Sequence, residues 1–235
     1  MKGNDTIKIQ GYRWFGFNRE LKHVRAKKGS GGVGFFVREE LFNEFTISVH
    51  DKSFSGIIAI DLKHIENDFK LSIIGAYLPP DNSNYGRDST AFFAQLISLV
   101  YSTMNSDLTI LCGDFNARTS DQLDYIPNVD DLLQRKCLDK TKNNHGESLI
   151  DFLKDTKMCI LNGRITPDLD NFTCISSKGK SVVDYFITPY DCIKYCKKLS
   201  VRTVSDLIDH LSIQDQISSR CKPPDHSVVT LELTY

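Results

Sequence analysis

The segment 108–117 places a carboxylate and a carboxamide directly after an apolar run. Residues 108–112 predict a buried strand, and Gly113 ends it just before Asp114 and Asn116. On extended backbone, residues two positions apart point to the same side, so these two side chains would face one site. Asp and Asn are also common turn residues, and a plain turn is the alternative interpretation at this point.

Three further segments carry polar groups where predicted strands begin or end. Tyr77 closes the run 71–78 before two prolines, and Asp184 lies inside the apolar run 181–187. Asp225 and His226 come directly before the last predicted strand. Each residue also has a purely structural interpretation, such as a hydrogen-bonding Asp or a turn His. Their joint occurrence is what indicates a site.

The residue types define the chemistry that such a site performs. A carboxylate inside an apolar strand needs a partner, and a His paired with it acquires a fixed tautomer and a favoured protonated form. One group would activate water while another supports charge on phosphoryl oxygens, usually with a divalent metal. We therefore expect hydrolysis of a phosphodiester.

Hydrophobic periodicity predicts mostly strands and two helices. One helix is expected over 89–105, capped by Asp88 or Ser89, and another over 147–157. A polar stretch at 118–142 predicts a long surface excursion, and 189–224 has no clear pattern. The predicted strands are 12–17, 33–37, 45–49, 56–62, 71–78, 108–112, 158–161, 172–175, 181–188 and 228–233. This order indicates one layered α/β domain over 1–235.

The amino-acid composition excludes some classes of binding partner. The net charge of −1 excludes a protein that coats nucleic acid by bulk charge, although basic residues cluster at 19–28 and 194–202. Seven scattered cysteines without a CxxC pair predict reduced thiols in an intracellular compartment.

A glycine-rich stretch at 29–34 spells GxGxxG, but a strand rather than a helix should follow it, so a dinucleotide site is not expected. The sequence shows no apolar run of membrane-spanning length and no signal-peptide core.

The chemistry-bearing residues lie in four motifs that together resemble the endonuclease/exonuclease/phosphatase superfamily. The similarity is greatest to the apurinic-type endonuclease domains of non-LTR retrotransposons, and it runs from about residue 10 to the C-terminus. The motifs are GAYLPP at 75–80, GDFNA at 113–117, SVVDYF at 181–186 and DHS at 225–227.

The resemblance implies a fold and a set of roles. The fold would be a four-layer α/β/β/α sandwich of two mixed sheets with helices outside. Asp114 would orient or deprotonate water, assisted by Asn116, and Tyr77 would hydrogen-bond the phosphate. His226, held by Asp184, would stabilise the transition state, and Asp225 would help to hold Mg²⁺ or Mn²⁺. Asn162 matches a position near the substrate in relatives. The expected partner is the phosphate backbone of DNA, with a nuclear location if the DNA is genomic.

The sequence departs from the family pattern at its start. Relatives begin with strands that end in an Asn and in a Gln-Glu pair, and Met1 falls just after that point. We therefore expect a domain that lacks its first strands and an enzyme weakened by the missing metal-binding Glu. Two alternatives stay open: a catalytically inactive nucleic-acid-binding remnant, and a phosphoesterase for another substrate class of the superfamily.

Overall fold

The computed structural model describes residues 8–17, 32–81, 83, 89–217 and 223–234. The chain divides into two compact units, Met1–Phe115 and Asn116–Tyr235. A single domain over the whole chain stays a prediction. The basic residues at 19–28, the first glycines of the glycine-rich stretch and the predicted cap Asp88 lie outside the described residues.

Among its described residues, the first unit contains six strands, and each overlaps a strand predicted from the sequence. Strands β1 and β2 form an antiparallel pair, and β3, β4 and β5 form an antiparallel succession. Strand β6 then runs parallel to β5, with Leu71 opposite Leu108 and Tyr77 opposite Asp114. The strands are Tyr12–Phe17 (β1), Val33–Arg38 (β2), Phe45–Asp51 (β3), Ile57–His64 (β4), Lys70–Tyr77 (β5) and Leu108–Asp114 (β6).

Helix α1, Ser89–Ser102, is the crossover that the parallel β5–β6 pair requires. It buries one apolar side, which includes Phe92, Leu96 and Leu99. A separate apolar cluster lies between the β1–β2 pair and the strands β3–β5, and its buried members are Val37, Phe45, Ile60 and Leu62. A short 3-10 helix, Glu39–Asn43, joins β2 to β3.

The second unit begins with a long polar segment and continues into short strands. Helix α2, Asn144–Thr156, leads into β7, which pairs with β10 through Ile160 opposite Ile187. Two antiparallel pairs complete the unit, β8 with β9 and β11 with β12. Its strands are Met158–Ile160 (β7), Cys174–Ser176 (β8), Gly179–Ser181 (β9), Asp184–Pro189 (β10), Cys196–Arg202 (β11) and Val228–Leu233 (β12), and its other helices are α3, Val204–Leu211, and 3-10 turns at Pro167–Leu169, Tyr190–Tyr195 and Gln214–Gln216.

Strand β11 and helix α3, both within 189–224, were missed in the sequence, as was the short strand β9. Strand β11 escapes detection because its register shifts between Cys196 and Lys198, which breaks the period-two alternation. Helix α3 is short and has no buried residue. It does carry a capping box between Thr203 and Asp206, and that was a usable signal.

The prediction of a surface excursion over 118–142 was wrong in an important respect. The segment forms no helix or strand, but several of its polar side chains are buried. Asp124 is 1% exposed and Asp139 is 4% exposed. Each is neutralised by an arginine, Arg164 for Asp124 and Arg118 for Asp139. The polar residues of this segment therefore include buried ion pairs that hold it against the protein interior.

Two absences apply to the described part of the chain. No helix there combines the length and the apolarity needed to cross a membrane. No disulfide joins the six cysteines within it.

Candidate functional site

In the first unit, Tyr77 and Asp114 are brought together at the ends of two neighbouring strands. They are direct partners in the parallel register of β5 and β6. The backbone at both ends is tied down, because Leu78 N donates to Asp114 O at 2.9 Å and Tyr77 N donates to Gly56 O at 2.7 Å. Both side chains are half-buried. A phenol and a carboxylate thus share one edge of the sheet.

Gly113 is required by the closeness of these two strands. Its φ of +144° is a conformation that side-chain-bearing residues rarely adopt. A Cβ atom at this position would lie 1.8 Å from Ala76 O. The glycine of the GDFNA motif therefore lets β5 and β6 approach, and it fixes where Asp114 lies.

Asn116 does not lie on extended backbone. Strand β6 ends at Asp114, and Asn116 has a left-handed φ of +47°. The strand geometry from which Asp114 and Asn116 were expected to share a side therefore does not apply, and their shared site stays a prediction. The flanking Phe115 and Ala117 are 0% exposed, so buried apolar neighbours hold the half-buried Asn116 in place.

In the second unit, Asp184 and His226 form a close pair. His226 Nδ1 lies 3.1 and 3.0 Å from the two carboxylate oxygens of Asp184. The Asp184 side chain is 18% exposed and the imidazole is 44% exposed. Burial raises the pKa of Asp184 above its ordinary value, while His226 and the hydroxyl of Thr173 act against that rise. Because the carboxylate accepts at Nδ1, the pair fixes the tautomer and turns Nε2 to the opposite side.

Asp184 is the first residue of β10 rather than an interior strand residue, which corrects the sequence interpretation. Val182 and Val183 precede the strand and are buried. Position at the strand's start explains how a carboxylate follows two buried valines and is still 18% exposed.

Thr173 organises the backbone around this pair, and it was missed in the sequence. It is 0% exposed, and its Oγ1 accepts from Val183 N at 2.9 Å and from Asp184 N at 3.0 Å. Its carbonyl accepts from Ser227 N at 2.7 Å, and Cys174 forms an isolated bridge with His226. One short segment therefore holds both members of the pair. A threonine before a strand has no distinctive sequence signal.

Tyr185, also missed, connects β10 to the segment that follows Asn116. It is 2% exposed, and its hydroxyl lies 2.9 Å from Ala117 O and 2.7 Å from Val182 O. Burial raises the pKa of Tyr185 far above its ordinary value, so the phenol stays neutral. Its position beside Asp184 in the SVVDYF motif is a signal that could have found it.

Asn162 is buried and bonded to the backbone of β10. The side chain is 2% exposed. Its Oδ1 accepts from Phe186 N at 3.1 Å and its Nδ2 donates to Asp184 O at 3.3 Å. Asn162 thus lies next to Asp184, and its predicted contact with substrate stays a prediction.

Asp225 precedes His226 and is half-buried. Its carbonyl accepts from Ile175 N at 2.7 Å, which fixes the backbone on which the carboxylate stands. Carboxylate oxygens are the hard donors that Mg²⁺ and Mn²⁺ prefer, and both Asp114 and Asp225 provide them. The donor chemistry of these residues therefore fits such a cation.

The basic group at 194–202 lies on and beside β11. Lys198 Nζ is 3.6 Å from Glu232, and Lys194 Nζ lies 5.1 Å from the Tyr195 ring centre. Lys197 and Arg202 are exposed. The group thus presents positive charge to solvent.

Comparison with solved structures defines the class of fold. The chain is similar to the endonuclease domain of TRAS1, a telomere-specific non-LTR retrotransposon, with a TM-score of 0.61 and 14% identity over 97% of this chain and 82% of that one. It is similar to the AP endonuclease LMAP from Leishmania major, with a TM-score of 0.62 and 10% identity over 94% and 70%. It also resembles the 3'-5' exonuclease NExo from Neisseria meningitidis, with a TM-score of 0.56 and 14% identity over 96% and 80%. The fold is an α/β sandwich of the endonuclease/exonuclease/phosphatase type, as predicted.

A protein-family model narrows the class to a family. The model described as endonuclease-reverse transcriptase matches residues 71–214, which is more than half of the chain. The protein belongs to this family, within the endonuclease/exonuclease/phosphatase superfamily and close to the endonucleases of non-LTR retrotransposons. A search of curated proteins found no match. Fold and family together define a phosphodiester hydrolase.

Proposed function

We propose that the protein is a metal-dependent phosphodiester hydrolase of the DNA-nicking endonuclease type. The observation that carries the proposal is the His226–Asp184 pair, in which both carboxylate oxygens lie within 3.1 Å of Nδ1. A carboxylate in this position favours the imidazolium form. In its imidazolium form, this 44% exposed side chain would suit a phosphate whose oxygens gain negative charge during hydrolysis.

The remaining site residues supply the nucleophile. Asp114 would orient or deprotonate the attacking water, and Asn116 would steady that water and the phosphate. Tyr77, the register partner of Asp114, would donate a hydrogen bond to a phosphate oxygen. Asn162 makes two hydrogen bonds to the backbone of β10. These bonds favour a role in positioning Asp184 rather than a direct contact with substrate.

Mg²⁺ or Mn²⁺ is the cofactor that this proposal includes. Asp225 would contribute a carboxylate oxygen, directly or through water, and the bound cation would neutralise charge on the phosphate. The cations fit the hard oxygen donors present, whereas soft metals would call for a thiolate or imidazole set. The weakened metal binding expected from the sequence stays a prediction.

DNA is the proposed substrate. Two names among the similar structures support it: the TRAS1 protein is an endonuclease domain, and a NExo structure is described as bound to a product DNA hairpin. In this chain, Lys197 and Arg202 provide exposed positive charge that suits a phosphate backbone.

A plasmid-nicking assay tests the proposal. Supercoiled plasmid should relax only slowly with the wild-type protein and excess Mg²⁺ or Mn²⁺, because weakened metal binding is expected, and chelation with EDTA should stop the reaction. The variant His226→Ala should lose about 100-fold or more in rate. The matched control is His210→Ala, which removes an exposed histidine from the last turn of α3 and should nick at the wild-type rate.

Two outcomes would contradict the proposal. Nicking that survives His226→Ala at full rate would exclude the assigned role of the pair. Salt-sensitive DNA binding without cleavage, unchanged in Asp114→Ala, would instead identify a binding protein. A metal titration in the same assay measures how tightly the cation is held.

A further inference from the structure

Asn116 has a backbone conformation that its surroundings must maintain. Its φ of +47° is in the left-handed region, which residues other than glycine rarely occupy, although Asn tolerates it better than most. Such conformations persist where neighbouring groups determine them, and they concentrate at functional sites. The contacts of the Asn116 backbone therefore identify what sets the direction of its side chain.

At the N-terminus of helix α2, Asn143 contacts the Asn116 backbone. Its Nδ2 donates to Asn116 O at 2.9 Å, and its Oδ1 accepts from Arg118 N at 2.8 Å. The same Oδ1 accepts from Gly146 N at 2.9 Å, which caps the helix. The backbone N of Asn143 also donates to Arg118 O at 3.1 Å. One side chain thus caps α2 and holds the peptide groups on both sides of Ala117.

The orientation of this carboxamide follows from its partners. The backbone groups of Arg118 and Gly146 can only donate, so they require the oxygen of Asn143. The carbonyl of Asn116 can only accept, so it requires the nitrogen. Aspartate has no donor for the Asn116 carbonyl. Serine carries its donor and its acceptors on a single oxygen, so it does not match a carboxamide whose donor and acceptor are separate atoms.

A second contact shows that the helix end and the Asn116 segment fit closely. A Cβ atom at Gly146 would lie 2.0 Å from Arg118 O, so only glycine allows this approach. Thr119 forms an isolated bridge with Lys142, one residue before the cap. The segment after Asn116 is therefore held against the α2 N-terminus at successive positions.

We propose that Asn143 is a positioning residue for Asn116, which it keeps in its left-handed conformation through the Nδ2 hydrogen bond. The inference rests on the proposed function only in assigning Asn116 to the reaction. The capping oxygen of Asn143 serves the helix, and the donor nitrogen serves the site. The two roles belong to different atoms and can be separated.

The variant Asn143→Asp separates them. Aspartate is as good an N-cap as asparagine and suits the positive end of a helix, so helix α2 should stay capped in this variant. It has no donor for Asn116 O and places a negative oxygen against that carbonyl. We expect kcat for plasmid nicking to fall about 10- to 100-fold, because a small displacement of a catalytic group has effects of this size, with KM unchanged.

The matched control is Asn144→Asp. Asn144 is exposed and is the next residue, so the change puts the same charge at the same helix end without the contact to Asn116. This variant should retain wild-type kcat. Asn143→Ala, which removes both roles, should lose thermal stability as well as kcat.

An NMR measurement keeps the inference separate from the proposed function. In Asn143→Asp, the backbone chemical shifts and the HN–Hα coupling of Asn116 should move away from left-handed values, and in Asn144→Asp they should not. If the wild-type protein does not cleave DNA, the proposed function fails and this comparison still decides the inference. Left-handed values for Asn116 in Asn143→Asp, or wild-type kcat in that variant, would overturn it.

Discussion

Two carboxylates of the second unit are each paired with a cationic or potentially cationic side chain, and they differ in what surrounds the pair. Asp124 and Arg164 are 1% and 6% exposed, with oxygen-to-nitrogen distances of 2.9 and 3.0 Å in a two-pronged pair. Asp184 and His226 are 18% and 44% exposed, and only Nδ1 of the imidazole meets the carboxylate. Both pairs are close, but only the second reaches solvent.

The surroundings of each ion pair indicate whether its role is structural or functional. Asp124 also accepts from Ile160 N at 2.8 Å, and Arg164 donates to the carbonyls of Leu133 and Ile160, so the partners of this pair are protein groups. Burial acts to lower the pKa of Arg164, but the hydrogen bonds to Asp124 outweigh that effect and raise the pKa above its ordinary value, so the guanidinium stays charged. A pair enclosed in this way anchors the polar segment before α2, whereas a half-exposed pair is placed to act on something outside.

The largest effect is expected from breaking the buried pair. Asp124→Ala leaves Arg164 buried without its counterion, and we expect a loss of about 3–5 kcal/mol of unfolding free energy, measured by urea denaturation. Replacing both partners, as Asp124→Leu with Arg164→Met, should recover part of that loss, because no lone charge is left inside while Ile160 N still loses its acceptor. An Asp124→Ala protein with wild-type stability would show that the pair does not anchor the segment.

A smaller effect on stability and a large effect on rate are expected for Asp184→Asn. Because burial raises the pKa of this carboxyl, its ionised form is disfavoured in the folded state, and the cost appears as pH rises through the folded pKa. The amide removes that cost, so the thermal midpoint near neutral pH should stay equal or increase slightly. The nicking rate should fall about 100-fold, since the imidazole loses its carboxylate.

The pH dependence of the wild-type rate follows from the same shift. Protonation of Asp184 begins at a higher pH than for an ordinary aspartate, so activity should decline on mild acidification. A nicking rate that is flat from neutral to mildly acidic pH, or an Asp184→Asn variant with wild-type rate, would place the pair with structural pairs such as Asp124–Arg164.

The smallest effect is expected from Asp170, whose carboxylate forms no ion pair among those described for the structure. Asp170 Oδ1 is buried without a hydrogen-bond partner among the described residues. Burial raises the pKa of Asp170 to about 6, against the opposing effects of the Asn171 backbone and the Arg135 charge. A raised carboxyl pKa means that stability is present at low pH and is lost as pH rises from the ordinary value through about 6.

Asp170→Asn should therefore raise the thermal midpoint at neutral pH by about 2–4 °C and leave it unchanged well below pH 4, measured by calorimetry. The exposed Asp168→Asn is the control, and it should change little at either pH. A lower midpoint for Asp170→Asn at neutral pH would mean that the ionised carboxylate stabilises the fold.

The sequence by itself determined most of the strands and the residue types of the site. Apolar runs located β3, β4 and β5, and helical spacing located α1, because burial of apolar side chains leaves a trace in the sequence of each element. Motif order also indicated the superfamily and the Asp184–His226 pair, because a carboxylate in an apolar run must find a partner.

Only the tertiary structure decided which polar residues are inside and how the site segments are held. Asp124 and Asp139 look like surface residues until Arg164 and Arg118 are seen beside them, since a partner 40 or 21 positions away leaves no periodic signal. The left-handed conformation of Asn116 and its hydrogen bond to Asn143, 27 residues later, likewise leave no signal in the local sequence. Local pattern records which face of an element is buried, whereas long-range hydrogen bonds depend on where the chain returns.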